Sequence, residues 1–241
     1  MGTQTLAVIH AELRIAWQAK RSAYFAEGFK ARGIPYRITS DRVRQDEGFA
    51  VLLGTTLWRE CERRPDFLLV DRCSFGDTDR FVSLVWNGHG RRGDHRVPAQ
   101  VRGNRWRKYG QELAPWRTGA RRVLCGQTEA YCATPLESFY RTPATHFRPH
   151  PAGENPTGLP VSRDWDDVGQ AITLNSSVAV QAVMAGIPTV TLDEGAMAWN
   201  VTSHDPAEIA TPDRLPWCEW LAWTQWTDDE IREGTPWAYH L

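Results

Sequence analysis

Three stretches of this 241-residue chain carry side chains suited to a negatively charged ligand. In "AITLNSSVAVQAVMAGIPTV", residues 171–190, a strand-like run breaks at Asn175-Ser176-Ser177 and resumes with helical spacing. Ligands of parallel α/β sheets lie beyond the carboxyl ends of strands, where helix N-termini accept anions. A carboxamide, two hydroxyls and free N–H groups there suit an anion, although Ser176 or Ser177 can equally be a plain N-cap. In "HFRPHP", residues 146–151, a strand delivers Arg148 and His150 beside a turn stiffened by Pro149 and Pro151. Those groups suit a phosphate, and a solvated basic turn is the alternative. Finally, Gly186-Ile187-Pro188 ends the helical run and feeds "PTVTLD", whose carboxyl end carries Thr191 to Glu194.

The elements that position these groups follow from apolar periodicity. "TLAVIHAEL" reads as a buried strand, and "RIAWQAKRSAYFAEGFKARG" as a helix stopped at Gly33. "IPYRIT", "FAVLLG" and "DFLLVD" are further strands, with a short helical piece around "TTLWRECERR". Strands alternating with helices and lacking hairpin turns predict a parallel sheet. Ser83 to Ala120, rich in Gly, Arg and Trp, is expected to be irregular. "RRVLCGQ" restarts a strand, "LESFYRT" a helix and "THFRPHP" a strand. After the linker "GENPTGLPVSRD" come the strand "AITLN", the helix "SSVAVQAVMAG" and the strand "PTVTLD". The expected fold class is α/β, with two short Rossmann-like lobes, a cleft between them and a Trp-rich helical tail. The lobes are drawn at 1–120, including a basic segment over 83–120, and at 121–200, with the tail at 201–241.

Composition bounds the rest. No apolar run approaches the roughly 18 residues that span a bilayer, and "MGTQTLAVIHAEL" lacks the basic and apolar regions of a signal peptide. A cytoplasmic protein without membrane association is expected. Cys61, Cys73, Cys125, Cys132 and Cys218 are odd in number and never spaced CxxC, which favours buried thiols over disulfides or zinc. No metal site is expected. The net charge of −1 conceals an asymmetry: Arg91 to Arg122 contains ten Arg or Lys and two acids, a local +8. Such a stretch can hold a polyanion, or can be a solvated loop with internal ion pairs.

Taken together, the "RPHP" strand end and "NSS…A…GIPTV" resemble the donor half of GT-B-fold glycosyltransferases, notably bacterial sialyltransferases and capsule Kdo transferases. The resemblance covers roughly residues 121–200. It implies that His150, Pro151, Ser176 and Ser177 contact the phosphate and nucleotide of a sugar donor; Arg148, Asn175 and Glu194, at the same strand ends, are donor-binding candidates by position. "DFLLVDRCSFGDTDRFVSLVWNGHGRRGDH" and "WLAWTQWTDDEIREGTPWAYHL" are similar to small glycosyltransferase-like proteins of tailed bacteriophages, a group suspected of decorating hydroxymethylated pyrimidines in DNA. Cys73 stands where that group's "DRGxFG" has glycine.

The resemblance implies a nucleotide-sugar donor, UDP-linked in the first instance or CMP-linked, and no tightly bound cofactor. An inverting transfer needs a carboxylate to take the acceptor's proton. Asp77 is the first candidate, exposed by the turn at Gly76, followed by Asp71 and Glu12 at strand carboxyl ends. For the acceptor, Arg91, Arg92, Arg96, Arg102, Arg105, Arg107 and Lys108, interleaved with Trp106, suit phosphate contacts and stacking on an extruded base. The expected partner is double-stranded DNA containing 5-hydroxymethylpyrimidine, met in a host cytoplasm if the chain is phage-encoded, by a monomer or weak dimer. A saccharide acceptor, a non-catalytic DNA-binding protein and a nucleotide-sugar epimerase are the alternatives.

Overall fold

Four apolar runs in the first 72 residues become neighbouring parallel strands: β1 (Ala7–His10), β2 (Tyr36–Thr39), β3 (Phe49–Leu53) and β4 (Phe67–Arg72). They are seen in a computed structural model that describes residues 6–41, 48–55, 61, 66–77, 79–98, 105–109, 111–127, 135–151 and 153–241. The chain divides into two units. The first comprises Met1–His89, Gly93–Arg105 and Glu219–Leu241, and the second Gly90–Arg92 and Trp106–Cys218.

In the first unit the helix Ala16–Ala31 crosses from β1 to β2, and Gly33, at φ 66°, follows its end. The sheet continues with β5 (Phe81–Trp86) and β10 (Gln225–Thr227), giving the order β10-β5-β4-β3-β1-β2. Successive strand residues point to opposite faces. Thus Val51, Leu53, Leu68 and Val70 join one apolar cluster, while Ala50, Leu52, Phe67 and Leu69 join another. Both faces of β3, β4 and β5 are covered, so these strands read as nearly unbroken apolar runs rather than alternating ones, whereas the edge strand β2 is exposed.

Two features correct the sequence expectation. β5 pairs antiparallel with β4, and β10, from the Trp-rich tail, pairs antiparallel with β5. Ser83–Trp86 is therefore strand rather than irregular chain. The tail is not purely helical: β10 lies between the helices Leu215–Trp223 and Asp228–Arg232, with a third helix at Trp237–His240. Its indoles belong to the core. Trp226 and Trp237 sit in the same cluster as Phe25 and Phe29, with Trp237 stacked on Phe29 at a centroid distance of 4.6 Å.

Arg105 secures that tail. Its Nε donates to the Ala222 carbonyl (2.8 Å) and its Nη2 to the Gln225 carbonyl (2.9 Å). Nη1 and Nη2 also donate to the two carboxylate oxygens of Glu230, at 3.0 and 2.9 Å. The guanidinium lies 4.1 Å from the Trp226 ring centroid. Glu230 in turn closes the capping box that starts the helix Asp228–Arg232 with Thr227.

The second unit is simpler. β6 (Arg121–Cys125), β7 (His146–Arg148), β8 (Val168–Thr173) and β9 (Thr189–Thr191) form an all-parallel sheet of order β7-β6-β8-β9. The helix Leu136–Tyr140 precedes β7, and the helix Val178–Met184 links β8 to β9. Gly186 ends that link at φ 75°, where a Cβ would stand 1.9 Å from the Pro115 carbonyl oxygen. Among the described residues no helix is long and apolar enough to cross a membrane. Cys61, Cys73, Cys125 and Cys218 are buried thiols; Cys132 lies outside the described residues. Burial pushes Cys73 and Cys125 up to about 12.

His240 offers a test of the tail's packing. Its Nδ1 accepts the Trp86 indole N–H at 2.9 Å, so the ring is neutral. Burial first, then the Arg96 guanidinium and His95, hold its pKa down to about 3 against the opposing pull of Asp94. An unfolded ring takes up its proton near 6.5, the folded one only near 3. The stability contributed by the neutral ring is therefore lost as pH falls through that window, by up to about 1.4 kcal/mol per pH unit. Denaturant titrations of wild type and His240→Phe at pH 7 and pH 4 should show the stability gap narrowing at low pH. Parallel pH dependence in the two proteins would refute the assignment.

Candidate functional site

In the second unit the strand order reverses between β6 and β8, since β6 leads outward to β7 and β8 outward to β9. Ligands of such sheets bind beyond the carboxyl ends at that switch point. Gly126 and Gln127 follow β6 there, and Leu174 to Ser177 follow β8. The flanking carboxyl ends supply Pro149 to Pro151 after β7 and Leu192 to Gly195 after β9. The sheet thus brings the expected donor residues to one edge.

Their individual states differ. Ser176 Oγ accepts the Val178 N–H at 3.3 Å, a local capping contact. Ser177 is exposed and its side chain makes no cap hydrogen bond. Asn175 and His150 are half-buried and Pro151 is exposed. The β6 and β7 ends approach so closely that a Cβ on Gly126 would lie 2.7 Å from the His150 backbone nitrogen. Arg148 is engaged: Nη1 donates to the Arg163 carbonyl (2.7 Å), and the guanidinium lies 4.6 Å from the Trp165 ring centroid.

At the end of β9 the buried Asp193 Oδ1 accepts from Gly195 N and Arg92 Nη2, both at 2.8 Å. Arg92 Nε stands 3.6 Å from the exposed Glu194, and Arg91 donates its backbone N–H to the Gly195 carbonyl at 3.0 Å. Nearby, the His204 ring stacks on Trp199 at 3.4 Å, with Nδ1 at 3.3 Å from the Thr191 carbonyl. Asp193 and His204 escaped the sequence reading. Asp193 gave a signal, being one residue before the chosen Glu194; His204 gave none.

The first unit holds the carboxylate candidates. Asp77 is exposed, and its Oδ1 accepts the Asp79 N–H at 2.8 Å, an Asx turn of the loop. Glu12 follows β1 and pairs with the solvated Arg14 at 3.0 Å. Asp71, the penultimate residue of β4, is half-buried; its Oδ2 lies 3.4 Å from His89 Nε2. Of the three, only Asp71 has an imidazole partner of the kind that shares a proton with a carboxylate. Sequence reasoning missed His89 as well, within "NGHG".

Several cations of the basic stretch have internal partners. Arg105 and Trp106 are inside: Arg105 holds Glu230, and Trp106 is buried. Arg96 lies 4.1 Å from the Trp86 ring centroid and donates to the His240 carbonyl. Arg117 donates to the Trp165 carbonyl, Arg121 pairs with Asp164, and Arg122 donates to Gln170 and Pro206. Arg91 and Arg92 belong to the β9 end described above. Arg107 and Lys108 are exposed; Arg102 lies outside the described residues. Among the described residues no cluster of three or more His, Cys, Asp or Glu could hold a metal ion.

No protein-family model matches the sequence, and no curated protein matches it. Among solved structures, the β-Kdo 2,7 transferase KpsC of Thermosulfurimonas dismutans matches with a TM-score of 0.51. The match covers 95% of this chain and 98% of that one at 14% identity. Identity that low speaks for the fold alone, which is glycosyltransferase-like and consistent with the GT-B arrangement of Rossmann-type sheets.

The fate of Arg105 is directly measurable. Removing one partner of a buried, hydrogen-bonded pair leaves the other charge uncompensated, at about 3–5 kcal/mol. Arg105→Ala should lower the unfolding free energy by that order in urea titrations. A change below about 1 kcal/mol, in the range of solvated ion pairs, would return Arg105 to the surface.

Proposed function

We propose that this chain is a nucleotide-sugar-dependent glycosyltransferase. The observation that carries the reading is the convergence of His150, Asn175, Ser176 and Ser177 on the carboxyl edge of the second sheet, in a glycosyltransferase-like fold. There the hydroxyls, the carboxamide and His150 hold the phosphate of a UDP- or CMP-linked donor. In the first unit, the Asp71–His89 pair takes the proton of the acceptor hydroxyl. The acceptor oxygen bonds to the anomeric carbon as the bond from that carbon to the phosphate oxygen breaks. The nucleotide departs with the bonding pair.

Two acceptor classes have separate support. The sequence resemblance to phage proteins, with Arg107 and Lys108 exposed, favours a 5-hydroxymethylpyrimidine in double-stranded DNA. The internal pairing of Arg96, Arg105, Arg117, Arg121 and Arg122 favours a saccharide hydroxyl, which needs no phosphate-tracking surface. The similar fold of a Kdo transferase points the same way.

The test pairs the protein with UDP- and CMP-sugars and two acceptor sets: duplex DNA containing 5-hydroxymethyluracil or 5-hydroxymethylcytosine, and oligosaccharides. Mass spectrometry of nucleosides and glycans reads the product. One acceptor set should gain a sugar mass, and His150→Ala and Ser176→Ala should abolish it. Asp71→Asn should lower kcat by about 10²–10⁴-fold, the range of a lost general base, with Asp77→Asn near wild type. If Asp77→Asn or Glu12→Gln is the more damaging change, the base is reassigned. No transfer to either set from any donor would overturn the glycosyltransferase reading.

A further inference from the structure

Arg92 sits in surroundings that suit a phosphate ligand better than a simple strap. Asp193 has a fully buried side chain, and its Oδ1 receives both Arg92 Nη2 and Gly195 N. A buried carboxylate keeps its charge only with such partners, so Asp193 fixes the guanidinium in place. Two glycines permit the approach. A Cβ on Gly90, at φ 56°, would stand 2.5 Å from the Gly195 carbonyl oxygen, and a Cβ on Gly195 would stand 3.3 Å from Arg92 Nη1.

The Arg92 side chain nevertheless remains 38% exposed, whereas that of Asp193 is fully buried. A second carboxylate, Glu194, is 65% exposed at 3.6 Å from Arg92 Nε, a long contact that an incoming anion can replace. β8 and β9 are paired in register, Thr173 opposite Thr191. Adjacent strands lie about 4.8 Å apart, so Asn175 and Asp193, each two residues beyond its strand, occupy neighbouring positions on one sheet edge.

We propose that Arg92 binds the leaving phosphate of the donor nucleotide in the second unit, with Asp193 as its positioning residue. The assignment rests on the glycosyltransferase reading and moves Arg92 from acceptor binding to donor binding. A guanidinium does not give up its proton at working pH, so it neutralises the phosphate oxygen by hydrogen bonding as the anomeric bond breaks.

Calorimetry with UMP, UDP, CMP and CDP, and with uridine and cytidine as phosphate-free probes, tests this on wild type, Arg92→Ala, Arg92→Lys and Asp193→Asn. Loss of one charge-assisted contact should weaken nucleotide binding roughly 10- to 100-fold in Arg92→Ala while nucleoside binding stays unchanged. Arg92→Lys, which keeps the charge and the fold, should recover part of that loss. In Asp193→Asn, phosphate-dependent affinity should fall through misplacement of Arg92. A wild type that binds nucleotides with folded Arg92 variants binding them equally overturns this assignment and leaves the glycosyltransferase reading standing. Equal losses for nucleosides and nucleotides overturn it as well, since a merely structural strap would act that way. A wild type that binds no nucleotide overturns both.

Discussion

A guanidinium enclosed by indole rings can stay charged only while its donors are matched and its counter-ion is held beside it. In the first unit that guanidinium is Arg105, and its partners come from three pieces of the tail: the end of the helix Leu215–Trp223, the strand β10 and the capping residue Glu230. Without it, two backbone carbonyls lose its hydrogen bonds and the buried Glu230 carboxylate loses its counter-ion, keeping the Thr227 N–H. The capping box, the pairing of β10 with β5 and the seating of Trp226 depend on one side chain that appears in sequence as part of a solvent-facing basic patch.

The second sheet works on a different constraint. Its four parallel strands send every carboxyl end to one edge, so residues more than sixty positions apart, from Gly126 to Gly195, share a rim. The apolar residues are divided between the two faces, with Val123, Cys125 and Ala171 on one and Leu124, Ile172 and Val190 on the other. Both faces are mostly apolar, with Gln170 and Thr173 as buried polar exceptions in β8, and most of the polar groups suited to a ligand gather at the rim.

Much of this was legible beforehand. Unbroken apolar runs such as Phe49–Leu53 and Val168–Thr173 announce buried strands, and Asn175–Ser177 after β8 had to fall at a carboxyl end. β10 was illegible because three residues between helices carry no period. The partners of the arginines were illegible for a related reason. Charge counting finds Arg105 but not Glu230, 125 residues away, and finds Arg92 but not the buried Asp193. Asp77 looked exposed and available, and it is exposed; its carboxylate is occupied by its own turn, a contact no composition reveals. His89 and Asp71 are eighteen residues apart in sequence, and only the antiparallel return through β5 brings them within 3.4 Å.

The tail's membership in the first unit has a consequence for the order in which a ribosome can deliver this fold. Residues 106–218, which make up nearly all of the second unit, are synthesised before residues 219–241 exist. Throughout that interval the nascent chain holds β5 with its outer edge unpaired and Phe25 and Phe29 without Trp237. An unpaired strand beside uncovered aromatic residues is a surface that chaperones bind and that neighbouring nascent chains can cross-pair with. The arrival of residues 219–241, more than any earlier step, decides whether the first sheet closes on its own tail or on another molecule's.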